Sequence, residues 1–71
     1  MTALVNQVVT NGGIANSMCK YLAAAEIAEG KGHAQAEADN IQEFIDLVEA
    51  QTGRFVSPED AATLIYLAGL L

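Results

Sequence analysis

The side chains that could do chemistry are few and far apart. His33 is the only histidine and Cys19 the only cysteine in a chain of 71 residues. A zinc site needs a full set of converging His, Cys or carboxylate ligands. His33 has one local candidate, Glu37, a helical turn away. Two ligands do not close a site, so His33 is expected at a helix start, exposed. Cys19 has no partner for an intrachain disulfide. Its neighbour Lys20 would point away from it on a helix, so no cation beside it activates the thiol. Asp39, Glu43 and Asp46 fall at i, i+4 and i+7 and line one face of a helix. Calcium takes about six to eight oxygens, usually from a loop that wraps the ion, and a straight helix cannot wrap. The three carboxylates therefore form a solvated acidic face, which we carry forward as a candidate interaction surface together with Arg54.

The remaining motifs also resolve into structure. Gly30-Lys31-Gly32 lacks the preceding strand, the glycine spacing and the following Ser or Thr of a phosphate loop, and is expected to be a turn. Ser17, Ser57 and Thr63 have no His–acid arrangement to activate them. Glu59 and Asp60 sit at a helix start, where acids favour the macrodipole. Arg54 and Phe55 place a cation beside an aromatic ring on a loop, where function is often sited, although Phe55 is expected to pack into the core. Tyr21 and Tyr66 lie on separate helices. Their expected role is to pack the ring and expose the hydroxyl, rather than to form a sugar-stacking platform. No catalytic residue, metal ligand or cofactor-binding residue emerges, and no cofactor is implied.

Composition narrows the function classes. Nine acidic residues against three basic ones give a formal charge of −6. Nucleic-acid binding requires a basic footprint, so that class is excluded, and anionic membrane surfaces are disfavoured. No stretch reaches the ~20 apolar residues of a membrane span, and residues 1–10 lack the basic start and apolar run of a signal peptide. The charge suits cationic partners, or a monomer or weak homo-oligomer whose copies repel. At this length the chain is one domain, residues 1–71, close to the lower limit for an unaided core.

These residues must be held by helices. Leu4, Val5, Val8 and Val9 recur at helical spacing over Thr2 to Asn11, with Asn11-Gly12-Gly13 expected to end that segment at positive φ. A second helix is expected over about Ile14 to Glu29, with Ile14, Met18, Leu22 and Ala25 as its stripe, widened by Tyr21 and Ala28. Gly30 and Gly32 then reverse the chain. The third runs from about His33 to Thr52, with Ala34, Ala38, Ile41, Ile45 and Val48 on one face and Phe44 and Leu47 beside them. Gly53 closes it. Ser57-Pro58-Glu59-Asp60 is the sharpest boundary: a Ser cap, Pro at the first helical position and acids in the first turn. Leu64, Ile65, Ala68 and Leu71 supply the face that follows. The short connections imply an all-α, compact four-helix bundle, three longer helices plus a short N-terminal one. Its expected core is Phe44, Ile45, Val48, Leu64 and Ile65 together with Met18 and Leu22.

Across these elements the chain resembles a known family. Gly13-Ile14-Ala15-Asn16-Ser17-Met18, then Lys20 and Leu22, resembles the first half of the FIMAH domain. Phe44-Ile45, followed by Val48-Glu49-Ala50-Gln51-Thr52-Gly53-Arg54, is similar to that family's A-F-I-x-x-V-x-A-x-x-G-K core. Val56-Ser57-Pro58-Glu59-Asp60-Ala61-Ala62 with Leu64-Ile65 resembles its capped last helix. The likeness runs from about Leu4 to Leu71. It departs at Gly30-Lys31-Gly32-His33, at Cys19, and at Arg54, which stands where the family has Lys. The resemblance implies a small accessory domain belonging to a larger secreted or cell-surface protein of bacteria or archaea. Its implied role is non-catalytic interaction or attachment, with a protein or surface polysaccharide as partner. A structural spacer or self-associating module with no ligand of its own is the alternative. The resemblance supplies no ligand-binding residue.

Overall fold

The computed structural model describes residues 1–71 as four helices. They are α1 (Thr2–Val8), α2 (Gly12–Gly30), α3 (Ala34–Gln51) and α4 (Pro58–Gly69). The radius of gyration is 11.4 Å, close to the ~11 Å of a folded domain of this length. The expected all-α bundle is what forms. α2 packs chiefly on α3, α3 on α4, and α1 on α2.

The two glycine turns behave as the chain requires. Gly32 has φ 73° and Gly53 φ 84°, conformations that a side chain resists. At the end of α2 the Gly32 amide donates to Glu29 O at 3.0 Å and the His33 amide to Ala28 O at 2.9 Å. That pair of bonds is the Schellman closure, and it satisfies carbonyls left over at the helix end. At the end of α3, Thr52 Oγ1 donates to Val48 O at 2.8 Å, and Gly53 N to Val56 O at 2.8 Å. Residues 52–56 thereby become a tight loop.

The first boundary differs from expectation. α1 stops at Val8, and Gly12-Gly13 do not end it. Neither glycine has positive φ; both lie in the first turn of α2. Asn11 is the cap: its Oδ1 accepts the Ile14 amide at 3.0 Å. An Asn cap offers a better start for α2 than Gly-Gly offers an end for α1. The β-branched run Val8-Val9-Thr10 accommodates the extended link. A tertiary bond then holds it, from Thr10 N to Phe55 O at 2.8 Å, with Thr10 Oγ1 donating to the same carbonyl at 3.2 Å.

The core is Val5, Val9, Ala15, Met18, Leu22, Phe44, Val48, Val56, Ala61, Leu64 and Ala68. Five of the seven side chains expected there are buried. Ile45 and Ile65 are corrections, since both are half-buried and pack on the cluster's edge. Ala34 and Ala38 are corrections too, being exposed. The reason is rotation. Phe44 and Val48 face the core, and Glu37 and Asn40, on the same side of α3, are half-buried. Ala34, Ala38 and Ile45 lie to one side of that line. α4 has 12 residues against 18 in α3, so the first turn of α3 also runs past its end. Leu71, expected on the buried face, is 60% exposed because it lies beyond the end of α4.

Candidate interaction surface

Each candidate side chain can be placed on this frame. Asp39, Glu43 and Asp46 are exposed along the outer side of α3. Gln35 Nε2 donates to Asp39 Oδ1 at 2.8 Å and Gln42 Nε2 to Asp46 Oδ1 at 2.9 Å. Both are ordinary i, i+4 pairs on a helix surface. The carboxylates thus follow one another along a helix and do not enclose a point. No three His, Cys, Asp or Glu side chains anywhere in the chain are grouped so as to hold a metal ion. Arg54 does not join this stripe. Its guanidinium lies over the Phe55 ring, 5.5 Å from the centroid, a cation–π geometry. The proposed set Asp39, Glu43, Asp46 and Arg54 therefore separates into an acidic helix face and a loop residue seated on an aromatic ring.

His33 caps α3 through its backbone only, without a side-chain bond, and is exposed. Cys19 is half-buried and packs on the core. Ser57 Oγ accepts the Asp60 amide at 3.2 Å, which fixes it as the cap of α4.

Two concavities exist. One, of about 300 Å³, opens at the step where α4 runs out. Leu22, Ala25 and Ile41 form its floor, and Glu26, Glu29 and Glu37 stand around it. The other is a shallow cleft of about 370 Å³ between the two loops, where Thr10, Arg54, Phe55 and Ser57 meet. No helix is long and apolar enough to cross a membrane.

The outward face of α4 is a surface that the sequence reading passed over. Ala61, Leu64 and Ala68 point into the core, so the helical period turns Ala62, Tyr66 and Leu70 to the opposite side. Tyr66 is 68% exposed and Leu70 66%. The expectation that Tyr66 packs its ring is thus wrong; Tyr21 is the half-buried tyrosine, packed against the core. Thr63 shares the face, and its hydroxyl turns back to donate to Glu59 O at 3.1 Å. From Ala61 to Leu71 the chain has no charged residue. The signal was present in the sequence: a helix apolar on all sides carries more than one buried face. Ile27, 59% exposed on α2, has no such company; single exposed apolar residues are ordinary.

No family model matches the chain, and no curated protein or solved structure is significantly similar to it. The likeness to FIMAH domains thus rests on the motifs quoted above.

Proposed function

We propose that this domain is a non-catalytic interaction module of the FIMAH type, carried by a secreted or cell-surface protein. It recognises a protein partner through a helix face, with the bundle as a rigid frame. The observation that carries the reading is the outward face of α4, where Tyr66 and Leu70 stand exposed on a helix anchored from its other side. Aromatic residues with an apolar body and a polar tip are enriched at protein interfaces. An uncharged apolar face suits a protein better than a charged surface polymer. The family resemblance supplies the extracellular context and the accessory role.

The test is a pull-down and glycan panel with the isolated domain, comparing wild type with Tyr66→Glu. The reading expects a protein captured by wild type and lost with Tyr66→Glu. Equal capture by both, or capture abolished only when Asp39, Glu43 and Asp46 are neutralised, would move the surface from α4 to α3.

A further inference from the structure

We propose that Asn11–Gly12 is a site of spontaneous covalent rearrangement, and that docking of α1 holds it closed. The proposal stands apart from the α4 surface.

The residue pair supplies the chemistry. It is the chain's only Asn-Gly step, and asparagine is a thermolabile residue. The Gly12 nitrogen attacks Asn11 Cγ once its proton has passed to hydroxide. The Cγ–Nδ2 bond then breaks, and ammonia leaves with a proton taken from water. A succinimide ring remains, and water opens it. Opening at Cγ gives aspartate. Opening at the backbone carbonyl gives isoaspartate, whose main chain runs through Cβ and Cγ. Water and hydroxide are the only co-reactants. Gly12 has no Cβ to hinder the attack, and its amide donates to no acceptor in the chain. The Ile14 amide donates to Asn11 Oδ1 at 3.0 Å. That oxygen takes the negative charge when Cγ is attacked, and the start of α2 favours the same charge.

Geometry holds the reaction off. Ring closure needs the Gly12 nitrogen eclipsed with Cβ about the Cα–C bond of Asn11. Asn11 has ψ 117°. By the near-tetrahedral geometry at Cα, this leaves the nitrogen about a third of a turn away from Cβ. The bond must therefore rotate. Rotation keeps Asn11 O on the Ala15 amide, 2.9 Å away, because both lie on the α2 side of the bond. It takes the Asn11 side chain off Ile14 and swings the chain that precedes it. There Thr10 N is held on Phe55 O at 2.8 Å, and Val5 and Val9 are buried. Undocking of α1 is thus the movement that lets the ring close while α2 stays whole.

The two products part company. Aspartate caps a helix as well as asparagine does, and its charge suits the start of α2, so the aspartyl form docks α1 again. Isoaspartate adds a main-chain carbon between Thr10 and Ile14. The cap is lost, the link no longer fits its place, and α1 stays undocked.

The test is to incubate the chain warm at mildly alkaline pH, folded and in urea, and to locate the mass change by fragmentation. Asn11 should react ahead of Asn6, Asn16 and Asn40, and faster in urea than in the folded chain. Gly12→Ala should suppress the change. Val5→Ala trims a fully buried side chain of α1, and should raise the folded-state rate by about 5- to 30-fold. Leu4→Ala, at a half-buried position, should move the rate the same way if Val5→Ala loses its helical circular dichroism. Ala28→Gly weakens α2 near its other end and should leave the rate unchanged. In the product mixture, the Val5 methyl resonances should keep their core positions in the aspartyl form and lose them in the isoaspartyl form. An intact Asn11 in urea, or another asparagine reacting first, overturns the site. Equal rates folded and in urea, folded α1 variants at the wild-type rate, Ala28→Gly as fast as they are, or an isoaspartyl form with Val5 still in the core overturns gating by α1.

Discussion

Phe44 and Ile45 are adjacent, of similar hydrophobicity, and differently placed. Phe44 is completely buried while Ile45 lies at the core's edge. Phe44→Ala should therefore destabilise by roughly 3–5 kcal/mol, from lost transfer energy and the cavity left behind. In a domain of this size that is a large share of the total. Ile45→Ala should lower the denaturation midpoint distinctly less, and equal losses would contradict the placement. The glycines give a second contrast. Gly53→Ala should destabilise by about 1–2 kcal/mol, because φ 84° is unfavourable for a side chain. Gly12→Ala should be neutral or stabilise by about 0.4–1 kcal/mol: φ is ordinary there, and a Cβ meets nothing within 4 Å. Thermal melts of the two variants should move apart, and parallel shifts would show that Gly12 is strained.

At the scale of elements, the start of α4 was legible in the sequence because every signal there is local. Ser57, Pro58, Glu59 and Asp60 act within one turn of one another, and no distant contact competes. Ser57→Ala should lower stability by about 0.5–2 kcal/mol, and Ser57→Asp should be nearly neutral. Equal losses would argue against the cap. The end of α1 was not legible for the opposite reason. Asn11 and Gly12-Gly13 are rival signals within three residues. Their choice is tied to a bond from Thr10 to a carbonyl 45 residues away. Helix periodicity found the buried stripe of α2 nearly whole. On α3 it set the buried face too far round, through Ala34, Ala38 and Ile45, because Phe44 was placed beside that face when it lies at its centre with Val48. The α4 surface was missed because Tyr66 was weighed against Tyr21 on another helix, and not together with Leu70 one turn beyond.

For the whole molecule, the fold rests on apolar faces and hydrogen-bonded turns. The nine side-chain hydrogen bonds do not include Lys20, Lys31 or Arg54. Calcium attracted to the Asp39–Glu43–Asp46 face by charge alone is screened by salt. Circular dichroism and melting temperature should therefore be the same in chelator and in millimolar calcium at moderate salt. A large calcium-dependent rise that survives added salt would make the stripe a true site.

The Thr10–Phe55 contact carries a consequence for the order in which the chain assembles. α2 and α3 are neighbours in sequence, joined by a three-residue turn, so their hairpin closes a short loop and should form early. α1 has seven residues and no side-chain cap, too short to persist alone. Its anchor, the carbonyl of Phe55, does not exist in place until the loop between α3 and α4 has folded. The most N-terminal helix is thus expected to dock last and to release first. Under native conditions the Thr10 amide, although it belongs to a loop, should exchange with solvent at the rate of the α1 amides and faster than those in the middle of α2. Its proton would then time the opening of one end of the molecule while the other stays shut.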